Sequence, residues 1–231
     1  MQKIFVSLML SIVAWIAHAE SFEQACRSKL VGPEIHSSSV PIELANEVDH
    51  PSAMSLTKAK WNEPQLDHLV IGMTWPEASL HVETSIDFID EIKTGQVCYY
   101  PVITVVWNYK PMRISVPKEI PKGSCSYDIV MAHELEHVRI YREYVPKAAA
   151  ATQAALRDKF GQELRYADSQ GAAMTEVDKA LKEFLVQIIP QAQKLIADAN
   201  AAHDSPEESE RVIKSCSGQT HAIVKSIIDA T

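Results

Sequence analysis

The pattern of apolar and polar positions along this chain changes once, near residue 125. Before that point it is a strand pattern. Leu80, Val82, Thr84, Ile86 and Phe88 alternate with His81, Glu83, Ser85 and Asp87, the period of two that buries one face of a strand and leaves the other in water. Residues 67–75, 80–92 and 97–107 are rich in β-branched and aromatic side chains and predict strands. Residues 102–107 are almost continuously apolar, which predicts a more buried strand. Asn108-Tyr109-Lys110-Pro111 reads as a turn into a further strand at 112–116, and Pro117, Pro121 and Gly123 mark a loop after it.

After Ser126 the period becomes helical. Ile129, Val130, Leu135, Val138, Tyr141 and Val145 follow an i, i+3, i+4 rhythm. Residues 147–160 are alanine-rich, and Met174, Val177, Leu181, Phe184 and Ile188 form a second stripe. Ser169-Gln170-Gly171 is the best break between the two. Pro146 and Pro190 are expected to kink or interrupt their helices. Ser205-Pro206-Glu207-Glu208 opens a last helix, with serine as cap, proline at the first helical position and Glu208 completing a capping box. The expected class is α+β: a strand-rich N-terminal half with a small sheet, then a metal-site helix and a long helical hairpin. There is no internal repeat.

The chemistry concentrates in His133-Glu134-Leu135-Glu136-His137. In this H-E-x-x-H spacing the two imidazoles, four residues apart, share one helix face and can grip one zinc ion, and the first glutamate sits beside it as a general base for a zinc-activated water. The bland alternative is a solvated helix face with ordinary histidines and glutamates.

A catalytic zinc needs a third protein ligand and one open position. Glu143 stands six residues past His137, roughly 9 Å further along an unbroken helix, so it reads as a surface charge. If the helix continues to about residue 167 and folds back at Gly171, the antiparallel return comes level with His137 near residue 205, where His203, Asp204, Glu207 and Glu208 cluster. Glu208 is the preferred ligand, with His203, Asp204 and Glu207 as rivals, and capping as the competing role of the cluster. Glu163 is a further rival, because with Leu156, Phe160 and Ala167 it falls on one helical face; a stripe edge reaching water is its ordinary reading. Glu176 and Asp178 look solvated. His36, His50, His68, His81 and His221 stand singly and read as surface or hydrogen-bonded residues. Tyr127, Tyr141, Tyr144 and Tyr166 are candidates for holding an oxyanion.

The first 19 residues read as an export signal: Lys3, an apolar run over 4–16, then Ala17-His18-Ala19 as a small-x-small cleavage site before Glu20. That run is short for a membrane span, and no later segment approaches one. Residues 20–231 are expected to form one domain, strand-rich over 20–125 and helical over 126–231. Removing the leader removes Lys3 alone among the charges, which takes the net charge from −8 to −9. An acidic surface argues against nucleic acid or an anionic membrane as partner. Four cysteines in an exported chain predict two disulfides. Cys98–Cys125 is the expected first pair, since the two bracket one hairpin-like unit, and Cys26–Cys216 then joins the chain's ends. A Cys/His zinc cluster lacks any C-x-x-C spacing.

Gly123-Ser124-Cys125-Ser126-Tyr127-Asp128 leading into the H-E-x-x-H helix, with Cys98 upstream and Asp204-Ser205-Pro206-Glu207-Glu208 downstream, resembles the secreted zinc-dependent proteases of the DUF922 type, a group of exported bacterial proteins of unknown function. The resemblance spans residues 98–216, and the zinc helix is its specific part. It implies a small metallopeptidase-like α+β domain, with its motif on His133, Glu134 and His137. The expected function is thus an exported zinc hydrolase, periplasmic or secreted, acting on a peptide or protein substrate that pairs with a strand at 112–116. The alternative is a non-catalytic, envelope-associated binding or structural protein with a vestigial or structural zinc site.

Overall fold

The computed structural model describes residues 21–61 and 69–230. The expected export signal, His68 and the start of the expected 67–75 strand lie outside the described residues. The architecture is mixed α+β, as the two periodicities predict. Helix α1 (Phe22–Lys29), strand β1 (Glu34–Ser39) and helix α2 (Ala53–Trp61) precede a hairpin of β2 (Met73–Asp90) and β3 (Val97–Ser115). Helix α3 (Cys125–Phe160), strand β4 (Arg165–Ala167), α4 (Gln170–His203), α5 (Pro206–Lys214) and α6 (Gln219–Asp229) follow.

The sheet order is β1-β3-β2, and β4 pairs with the start of β3. β1 runs parallel to β3 and β2 antiparallel to it. β3 is therefore central. Its odd-numbered side chains Ile103, Val105, Trp107 and Tyr109 are buried under α3 and α4, together with Val145, Leu156, Phe160, Leu181 and Ile196. That alternation builds the main core. A second cluster, Met112, Ile114, Val116, Val130, Val138 and Val212, continues it beneath the first turns of α3.

Three expectations are corrected. Residues 108–111 are not a turn: β3 runs straight through them, with a cis Lys110–Pro111 bond. The reason lies in β2, where the register slips between Pro76 and Ala78. Lys110 and Pro111 together oppose Glu77, and such a bulge tolerates a residue with no N–H to donate. Residues 112–115 are accordingly not an edge open to substrate. They pair with β2 on one side, and on the other with residues 43–49, through Met112 N–H to Glu43 O at 2.9 Å and Asp49 N–H to Ile114 O at 2.9 Å.

The disulfide pairing is also different: Cys26–Cys98 and Cys125–Cys216. With no turn inside β3, Cys98 and Ser115 stand about 55 Å apart along the strand at 3.3 Å per residue. Cys98 and Cys125 therefore lie towards opposite ends of the sheet. Cys98 instead meets α1, and Cys125, at the start of α3, meets the turn between α5 and α6. Two disulfides and no free cysteine fit an oxidising compartment. No helix among the described residues is long and apolar enough to cross a membrane.

The third correction concerns the prolines. Pro146 and Pro190 interrupt neither α3 nor α4. Ser124 caps α3 by accepting from Tyr127 N–H at 3.1 Å, and Ser169 caps α4 by accepting from Ala172 N–H at 3.2 Å, so the break at Ser169-Gln170-Gly171 falls where expected.

Candidate metal centre

The third and fourth turns of α3 carry the motif. His133 and His137 lie one above the other on the face turned towards the end of α4, and their ring centroids are 4.9 Å apart. Glu134 turns the other way, into the protein, and is 2% exposed. Its Oε2 accepts from the Thr74 hydroxyl at 2.8 Å. Gly72 makes this burial possible: a Cβ there would stand 2.3 Å from Glu134 Oε1 and 2.8 Å from Val130 Cγ1. Burial pushes the Glu134 pKa up, against the pull of His137 and of the Thr74 hydrogen bond.

The last residue of α4 completes the group. His203 stacks on His133 with centroids 4.4 Å apart and meets His137 at 4.8 Å. One ligand atom from each of His133, His137 and His203 lies within 4.8 Å of the others. Each imidazole also has one nitrogen held by a protein acceptor. His133 Nδ1 is 3.2 Å from Glu208 Oε1, His137 Nδ1 is 2.7 Å from Asn200 Oδ1, and His203 Nε2 is 3.3 Å from the His133 carbonyl. An N–H donated to each acceptor leaves the other nitrogen as a lone pair, the tautomer a metal ligand needs.

Asp204, the C-cap of α4, directs Oδ1 at two of those remaining nitrogens, His133 Nε2 at 3.2 Å and His137 Nε2 at 3.0 Å, and accepts an N–H from each when the imidazole is protonated; a bound metal would take the place of those protons. Burial opposes the charged forms of both histidines, and Asp204, with Glu208 beside His133 and Glu134 near His137, more than offsets it, so both pKa values rise. Burial pushes Asp204 up, and its bonds to the two imidazoles overcome that and hold it well below the usual carboxylate range. His203 moves down, through burial and then the neighbouring His133. Glu208 falls to about 2, first through Arg211 and then through His133.

Three imidazoles with adjacent carboxylates are a donor set that suits zinc and related divalent ions. Donors about 2.1 Å from a tetrahedral zinc lie about 3.4 Å from one another, close to the Asp204–imidazole distances. The widest separation among the histidine atoms needs to close by about 1.4 Å, a side-chain rotation at the end of a helix. The residues fit a metal.

The other sequence candidates sort as follows. His203 and Asp204 join the motif histidines. Glu208, the preferred third ligand, sits one step out, bonded to His133 and ion-paired with Arg211. Its N–H is capped by Ser205, as the box predicts. Glu207 is exposed. Glu163 is exposed in the loop after α3, which ends at Phe160 and so never places it on a helical stripe. Glu143 is a surface charge between Arg139 and Lys147. Glu176 pairs with Arg165, and Asp178 accepts from Thr84. Of the tyrosines, Tyr141 shares the helix face of His133 and His137. Its pKa is raised by burial, then by Tyr109 and Asp204. Tyr127 packs on His50 instead.

Sequence reasoning missed Gly72, Thr74 and Asn200. Asn200 was findable, since it stands three residues before His203, on the same helix face. Nothing in sequence ties Gly72 or Thr74 to Glu134, 60 residues away. Compared with protein-family models, curated proteins and solved structures, the chain matches none.

Proposed function

We propose that this protein is an exported zinc-dependent hydrolase of the metallopeptidase type, with His133, His137 and His203 holding the metal and Glu134 as general base. The observation that carries the reading is the orientation of the site: three imidazoles gathered from the two long helices, each with its second nitrogen tied to an acceptor, beside a buried carboxylate that ligates nothing. Zinc in such a set polarises a carbonyl and acidifies a water. Glu134 is suited to take that proton and return it to a leaving amine, because burial raises its pKa towards the working range of a general base. Thr74 and Gly72 fix where its carboxylate sits. Tyr141 stays protonated and offers a hydrogen-bond donor on the same helix face.

The substrate follows from the sheet. β2 is an outer strand, paired only with β3 among the described residues, and Thr74 on it touches Glu134. A peptide added as a further strand along β2 would pass the base. The leader-like first 19 residues and the two disulfides support export to the periplasm or beyond. The resemblance to the DUF922 type agrees with this reading.

One observation favours the alternative, a structural metal site in a non-catalytic envelope protein. Asp204 lies within reach as a fourth donor, and closed four-donor sites are structural. Glu134→Gln separates the two. It keeps the metal in both cases, and in a metallopeptidase it lowers hydrolysis of casein or a peptide library on the order of 10²–10⁴-fold. Full hydrolysis by this variant would exclude Glu134 as base.

A further inference from the structure

We infer that Asp204 is a gate on the metal centre: a donor supplied by the protein itself that closes the fourth position in the conformation described here and opens it by swinging to Lys60. The inference rests on the metal-centre reading above and adds regulation to it.

Three observations carry it. First, Asp204 Oδ1 touches His133 Nε2 and His137 Nε2, the nitrogens left over once Glu208 and Asn200 have taken the Nδ1 atoms. The carboxylate thus stands where a ligand of the same ion would stand. Second, the helix does not explain the residue. A carboxylate at a helix C-terminus faces the negative end of the macrodipole. The capping contact, Asp204 N–H to Asn200 O at 2.9 Å, is made by the backbone alone, so ending the helix does not itself fix the side chain. Third, a second partner waits on the solvent side. Lys60 Nζ, at the end of α2, lies 3.8 Å from Asp204 Oδ2, and the Asp204 side chain is 38% exposed. The carboxylate is thus shared between the centre and a surface cation, and a modest rotation moves it wholly to the second.

A four-donor centre has no position for substrate, and one that has lost its fourth donor does. The chain as folded is therefore latent. A peptide bound along β2, or any partner that draws Asp204 towards Lys60, would expose the position.

The test uses the full-length mature protein loaded with cobalt(II), whose visible absorption reports coordination, and azide as a small anionic probe. Metal stoichiometry is measured first. Wild type is expected to hold one equivalent and to bind azide weakly. Asp204→Ala is expected to hold the metal and to bind azide on the order of tenfold more tightly, with a shifted cobalt spectrum, because one protein donor is gone. Asp204→Asn, which keeps the shape and weakens the donor, should fall between and serves if the alanine variant folds poorly. Lys60→Ala removes the outer partner and should weaken azide binding below wild type. Equal azide affinity in wild type and both Asp204 variants, with cobalt bound in all, would overturn the gate and leave the metal centre standing. No cobalt in any form would overturn the centre and the gate with it.

Discussion

Gly72→Ala is a sharp structural perturbation that leaves the proposed metal ligands in place. A methyl group at Gly72 would stand 2.3 Å from Glu134 Oε1 and 3.0 Å from its carboxyl carbon, with Val130 Cγ1 at 2.8 Å. Ordinary contact needs roughly another ångström. Glu134 has little room to yield, since its residue is 2% exposed and its Oε2 is tied to Thr74 at 2.8 Å. The carboxylate must leave Thr74, or β2 must back away from α3. Such overpacking costs about 1–3 kcal/mol, which for a domain of this size lowers Tm by about 2–4 °C per kcal/mol. His133, His137 and His203 make no hydrogen bond to the Glu134 carboxylate, so metal content should stay at the wild-type value. Hydrolysis should fall steeply, because a general base must sit within hydrogen-bond reach of the proton it takes. The assay compares Tm, zinc per chain and peptide hydrolysis for Gly72→Ala and wild type. An unchanged Tm with unchanged hydrolysis would refute the close approach of β2 to Glu134, and loss of zinc would show that Gly72 supports the ligands instead.

Further outcomes follow from the same geometry. Asn200→Ala removes the acceptor that orients His137 and should weaken zinc binding about 10–100-fold, read by competition with a chromogenic chelator; an unchanged affinity refutes that role. Glu163→Ala and Glu207→Ala, both at exposed positions, should leave zinc affinity within error of wild type, and a loss in either would return it to the list of ligands. Non-reducing peptide mapping should find Cys26–Cys98 and Cys125–Cys216. Removing the second pair with serines opens a loop with a sequence separation of 91 and should cost up to about 4.5 kcal/mol on the chain-entropy model, measured by denaturant unfolding.

Much of the fold was legible because its signals are local. Period two in 80–88 and period 3.6 after 126 gave the strand-to-helix order, and the break at 169–171 and the serine cap at 205 gave two helix starts. The pairing of His133 and His137 on α3 was legible for the same reason, since i and i+4 share a face in any helix. The arrival of the α4 end at His137 was also anticipated, though by a different path from the real one. α3 stops at Phe160, and residues 161–169 leave it to place β4 on β3. α4 thus starts beyond the end of α3: Gln170 to His203 is ten residues longer than His137 to Phe160, about 15 Å at 1.5 Å per residue, which brings His203 rather than Glu208 to the motif. What failed depended on pairing between distant segments. Asn108-Tyr109-Lys110-Pro111 has turn composition, and only the bulge opposite it in β2 shows why the strand continues. The disulfide error descends from that one, because a turn there would have brought Cys98 back towards Cys125. The contact of Gly72 and Thr74 with Glu134 is likewise set by how the sheet lies on the helix.

The most direct test of the central claim is the metal content of the purified mature protein, measured by elemental analysis alongside a variant with His133, His137 and His203 all changed to alanine. About one zinc per chain is expected in the wild type and little in the triple variant, with the fold kept in both by circular dichroism. A wild type that binds no metal under saturating zinc, or a triple variant that keeps its full complement, would contradict it.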